Sequence, residues 1–201
     1  MGLTEDILNF WFEGTDLTRK MEKRKIWFKS TPEFDQAIHD NFTQAYKDAA
    51  VGRLDDMKES QGGCLALIII LDQFSRNLFR NDPNAFAADA KAREFARYAL
   101  DQGYDQGIDQ FAKTFFYLPF EHSENLADQE LSVKLFAQSN NEDTNKAAIG
   151  HHDAIAQFGR FPHRNAVMGR KNTPAEEEYL KNPPGWGKTA AEMAELEKKK
   201  G

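Results

Sequence analysis

Residues 64–80 read CLALIIILDQFSRNLFR, eight apolar side chains that run without punctuation into a polar half. Taken alone, CLALIIIL suits a buried parallel strand as well as a buried helix. Length decides between them, because no turn separates it from DQFSRNLF and the combined run exceeds an ordinary strand. At the helical advance of about 100° per residue, Leu67, Leu71, Phe74 and Leu78 share one face. Leu65, Ile69, Asp72, Arg76 and Arg80 share the opposite one. The stretch predicts one buried central helix crossed by a polar stripe.

Helix punctuation continues on both sides of it. Thr31-Pro32 offers an N-cap and a proline at the first helical position, followed by Phe34, Ile38, Phe42 and Tyr46 at four-residue spacing. Asp82-Pro83 opens another helix in the same way, with Gly103 as its stop. Thr173-Pro174-Ala175-Glu176 and Thr189-Ala190-Ala191-Glu192 both match the capping-box pattern. No other segment alternates apolar and polar residues for long. The predicted fold is all-α, with antiparallel helix hairpins joined by short loops. NPPGWG at 182–187 breaks the chain, so one domain is expected over 1–187, with a peripheral C-terminal helix and a frayed tail over 188–201.

Composition bounds the function. The 201 residues are 40% hydrophobic and 29% charged with 16 Phe, too apolar and aromatic for a disordered chain. A formal charge of −6 argues against nucleic acid or an anionic membrane as partner. The single Cys64 excludes an internal disulfide and a multi-cysteine zinc site. MGLTEDILNFWFEG lacks the features of a signal peptide, so a cytoplasmic protein is expected.

Three constellations carry possible chemistry. On the central helix, Asp72, Arg76 and Arg80 follow at i, i+4 and i+8, with Gln73 and Asn77 alongside; they form either an ion-paired ladder or a cavity wall in which Asp72 pins Arg76 for an anion. Pro119 is read as a first turn or kink near the front of one helix over 115–136. Glu121, Glu124 and Asp128 then lie on one strip, ready to face the stripe, with His122 and Gln129 beside them. Ser123 lacks the GxSxG elbow of a nucleophile. His151 shares a helix face with Ile155 and Phe158 up to the stop at Gly159. FGRFPHRN, residues 158–165, then places Arg160, His163, Arg164 and Asn165 in a constrained turn where donors can converge on an anion. No pair of the five histidines has i, i+4 spacing, so no metal is expected, and no cofactor motif is present.

LDQFSRNLFRNDPNAFAAD, FFYLPFEHSENLADQE and HHDAIAQFGRFPHRNAVMGRKNTPAEEEYL together resemble the blocks of the bacterial family called domain of unknown function 924. The resemblance implies an all-α, tetratricopeptide-like right-handed superhelical fold in a soluble bacterial protein, and it names no substrate. It carries the polar motif positions onto Asp72, Gln73, Arg76, Asn77 and Arg80. A second block matches His122, Ser123, Glu124, Asp128 and Gln129, and a third His151, Arg160, His163, Arg164, Asn165 and Arg170. Ser75 stands where the family usually has proline.

The favoured expectation is a module that binds a small anionic ligand or peptide, a carboxylate or phosphate, among these arginines. An enzyme is the alternative, with His122 or His163 as general acid or base oriented by Asp128 or Glu124. A scaffold whose polar ladders only specify packing is the third. If His163 donates as an imidazolium, anion affinity should fall as pH rises through its pKa.

Overall fold

A computed structural model describes residues 2–139, 141–186 and 188–200, and no strand occurs among them. The fold is all-α. Its helices are α1 (Leu3–Phe12), α2 (Pro32–Ala50), α3 (Gln61–Ile68), α4 (Ser75–Leu78), α5 (Asp89–Asp101), α6 (Gln110–Glu121), α7 (Leu126–Phe136), α8 (Glu142–Phe158), α9 (Pro174–Tyr179) and α10 (Ala190–Lys200).

Helix α3 and helix α4 form one continuous rod, joined through the π-helical segment Ile69–Phe74. Cys64 through Leu71, and Phe74, have no exposed surface, so both faces of the apolar run are covered. A helix that is apolar all round belongs at the centre of the domain, and α1, α2, α5 and α6 surround this one. Trp11 and Phe74 meet edge-on at a 5.6 Å centroid distance, and Trp11, Trp27 and Phe115 close the same aromatic cluster. The widened turn runs directly into Ser75. There the Asp72 carbonyl accepts hydrogen bonds from Ser75 Oγ at 3.1 Å and Arg76 Nη1 at 2.6 Å. A π-turn thus re-aims the polar stripe without a proline.

Thr31 caps α2 as expected, and Ile38, Phe42 and Tyr46 are buried. Pro83 opens a 3-10 turn rather than the helix proper, which begins at Asp89. Both capping boxes form. The helix expected through residues 115–136 is two helices. Pro119 sits in the last turn of α6, residues 122–125 form a loop, and Asn125 caps α7 by accepting from the N–H groups of Ala127 and Asp128. Helix α10 runs to Lys200, and Lys188, Glu192 and Met193 line cavities; Gly201, the end of the expected frayed tail, lies outside the described residues.

Gly63 is required at the start of the rod. A β-carbon there would collide with the Met57 carbonyl oxygen, which belongs to backbone and cannot swing aside. Gly63→Ala is expected to cost about 1–3 kcal/mol in a urea titration, the range for overpacking a core; an unchanged midpoint would contradict this close approach.

Candidate functional site

The loop after α6 presents His122 to the rod. Gln129, fully buried on α7, donates to the carbonyls of Glu121 at 2.7 Å and Ser123 at 2.6 Å, which ties down the end of α6. His122 Nδ1 then lies 2.8 and 3.0 Å from the two carboxylate oxygens of Asp72. Asp72 is 1% exposed; Gln73 Nε2 also donates to it at 2.5 Å, and Arg76 Nη1 stands 3.3 Å away. Burial opposes ionisation of Asp72, but Arg76, His122 and Gln73 outweigh it and hold its carboxyl well below the usual range. For His122 burial dominates over the pull of Asp72, so its pKa is lowered and the ring is neutral at pH 7. The carboxylate fixes the proton on Nδ1 and leaves Nε2 as an acceptor.

The stripe residues are largely paired with acids other than those of 115–136. Arg76 makes a two-pronged contact with Asp89 at 3.0 and 3.1 Å, and Arg80 makes one with Asp35 at 2.8 and 3.0 Å. Asn77 also donates to Asp35, at 2.7 Å. Asp128 accepts from Ser123 Oγ and pairs with Arg93 and Arg97, so it braces the 122–125 loop. Glu124 accepts both prongs of Arg170 and the Phe161 N–H. Neither Asp128 nor Glu124 orients a histidine; Asp72 does.

FGRFPHRN divides into clamps and donors. Arg160 pairs with Glu176 through two bonds of 2.6 and 2.8 Å, and Asn165 Nδ2 donates to Asn172 at 2.9 Å. These two residues hold the turn to the segment leading into α9. His163 and Arg164 point the other way. Arg164 is 8% exposed, and its guanidinium lies 4.4 Å from the Phe86 ring centre and 4.6 Å from that of Phe161. Its nearest acid, Asp89, is 3.6 Å away. Among the described residues the guanidinium makes no hydrogen bond, and its Nε is buried without a partner. Burial and the adjacent Arg76 lower its pKa to about 10, which leaves it charged at neutral pH. His163 Nδ1 is likewise buried without a partner, and burial, with Arg164 beside it, lowers its pKa to about 3.

Three neighbouring cavities share these walls. The largest, about 360 Å³, is lined by Gln73, Arg76, Asn77, Arg80, His122 and His151 together with Trp27, Phe28, Leu118 and Phe136. A second, about 170 Å³, shares Arg76, Arg80, His122 and His151 with it and adds His163 and Arg164. A third, about 350 Å³, lies across His122 and Arg164, beside Glu124 and Arg170. Asp128, Arg160 and Asn165 line none of the three. Trp186, missed in the sequence, closes both of the first two: it stacks on His151 with ring centres 3.6 Å apart, and Gly150 leaves room for it on α8. A tryptophan set within NPPGWG was its available signal. Among the described residues no His, Cys, Asp and Glu side chains cluster as a metal site.

Residues 7–184 match the family described as bacterial protein of unknown function (DUF924). The chain belongs to this family. A solved structure of another protein of unknown function, from Agrobacterium tumefaciens, is similar to this family member at 38% identity and a TM-score of 0.81, covering 89% of this chain and 96% of that one. No curated protein matches the chain. No described helix of this family member is long and apolar enough to cross a membrane.

Proposed function

We propose that the chain binds a small organic anion, a carboxylate or phosphate, between Arg164 and the Asp72–His122 pair. Arg164 carries this reading. A guanidinium nine-tenths removed from water, with its Nε unpartnered and its nearest acid 3.6 Å away, is costly, and a bound oxyanion supplies two acceptors in the plane of its fork. The rings of Phe86 and Phe161 lie against it, so its N–H edge is the side left for a ligand. Lys188 lines the same cavity, and no ion pair to it occurs among the described residues.

Thermal-shift titration with phosphate, succinate and benzoate tests this. Benzoate is expected to raise Tm of the parent protein, and Arg164→Leu to weaken the response by about tenfold or more in concentration, the value of one charged hydrogen-bonded contact. Because Arg164→Leu also removes the 3.6 Å ion pair with Asp89, the response is read as the ligand-induced change in Tm relative to each protein's own unliganded value. No response in the parent, or an equal response in the variant, would overturn the reading. Because His163 stays neutral down to about pH 3, its own titration should contribute no fall in affinity between pH 6 and 8.

An enzyme is the second reading, favoured by Asp72 on Nδ1 of a histidine that lines all three cavities. His122 is then the general base. In deuterium oxide it would exchange an acidic proton of the bound ligand, visible by proton NMR and absent in His122→Asn; a ligand bound without exchange in either protein leaves the binding module alone. We keep the cytoplasm as the proposed compartment, consistent with a single, fully buried cysteine.

A further inference from the structure

We infer that the ligand is an amphipathic monoanion, a single acid group on an unbranched or aromatic apolar body, with the acid at the Arg164–His122 end and the body in the arm lined by Trp27, Phe28, Leu118 and Phe136. This rests on the anion reading above and names the class of ligand. The arm runs from the arginine side of the largest cavity between the 3-10 turn Lys25–Trp27 and helices α6, α7 and α8. Rings and a leucine dominate its walls, with Thr114, Thr144 and Ala147 between them, and Met193 of α10 and Trp186 also line the cavity. A purely polar ligand would leave those surfaces wetted by water that gains little there, whereas an apolar body buries them.

The charges are arranged to match. Arg76, Arg80 and Lys188 line both of the joined cavities and Arg164 lines the smaller, whereas the cation beside the rings, Lys29, is exposed; the single acid lining the largest cavity is Glu121. Burial, helped by the nearby Asp72 charge, raises the Glu121 pKa to about 8, so at pH 7 the arm presents no anion to repel the ligand. A dicarboxylate would set its second charge among the rings. The arrangement therefore selects against diacids and for monoacids with a tail.

Calorimetric titration of the full-length chain with acetate, butyrate, hexanoate, octanoate and adipate tests the inference. Affinity is expected to rise about threefold per added methylene until the arm is filled, and adipate should bind more weakly than hexanoate. Ala147 faces the same cavity from α8. Ala147→Phe should fill the arm and remove the gain from chain length while leaving butyrate affinity within about twofold, because the cationic end is untouched. Equal affinity for butyrate and octanoate in the parent, or undiminished octanoate binding by a folded Ala147→Phe, would overturn the amphipathic assignment with the anion reading intact. Failure of every acid in the series would instead remove the anion reading itself.

Discussion

Replacing Arg76 by methionine is expected to lower folding stability by about 3–5 kcal/mol, the cost of leaving a buried ion pair half-made. Arg76 serves two acids and one carbonyl at once: both oxygens of Asp89, the Asp72 carboxylate, and the Asp72 carbonyl within the π-turn. Burial disfavours its charge, yet Asp72 and Asp89 more than compensate, and its pKa is raised. Without it Asp72 keeps only Gln73 and His122, and Asp89 keeps Arg164 at 3.6 Å, so two nearly buried carboxylates lose their main cationic partner. A site kept only for a ligand would lose binding and keep its stability, so urea unfolding separates the two roles. Adding Asp89→Asn to Arg76→Met should return part of the loss, as coupled neighbours do. A change below about 1 kcal/mol would show that the pair contributes no more than a surface bridge.

The second large effect is pH-dependent and belongs to Glu121. Its carboxyl is buried in the cavity wall 3.4 Å from His151 Nδ1, and burial followed by the Asp72 charge moves its pKa from 4.5 to about 8. Between those values the native chain holds a proton that the unfolded chain has released, so stability falls as pH rises through this window. The contribution is fully present below about pH 4.5 and lost above pH 8. At about 1.4 kcal/mol per pKa unit, the loss by pH 9 is on the order of 5 kcal/mol. His122, His151 and His163 act oppositely. Their lowered pKa values mean that the unfolded state binds more protons below about 6.5, so stability declines as pH falls from there. Comparing Glu121→Gln with the parent isolates the carboxyl: the variant should be more stable at pH 9 and nearly unchanged at pH 4. Parallel curves would contradict a neutral Glu121.

The central helix was legible because an apolar run without a turn, flowing into a polar half, has few places to go but the middle of a helical domain. Helix α2 was legible through its cap and its four-residue spacing. The break after α6 escapes a reading of Pro119 as a first turn or kink, because α6 retains the proline in its last turn. Asn125-Leu126-Ala127-Asp128 carried a start signal of its own, an N-cap with an acid three residues on. That error moved three acids. Glu124 and Asp128 brace the loop against Arg170, Arg93 and Arg97, while the partners of Arg76 and Arg80 come from Asp89 and Asp35. Asp35 lies in the first turn of α2, and spacing fixes which residues share a face but not which distant face they meet. Burial was equally invisible: it turns His163 from an expected cation into a neutral ring and makes Arg164, one residue later, the donor that lacks an acceptor.

Arg164 Nε–H is also the most direct reporter of the ligand. Buried and unpartnered, it should give a resolved cross-peak in a nitrogen-15 correlation spectrum of the side chains, assigned by its disappearance in Arg164→Leu. Titration with octanoate is predicted to move this peak downfield with a saturable dependence on concentration, as an N–H does when it gains an anionic acceptor, while the Nε–H of Arg160, already donating to Glu176, stays in place. An Arg164 signal that stays fixed as octanoate saturates would contradict a ligand site at this guanidinium.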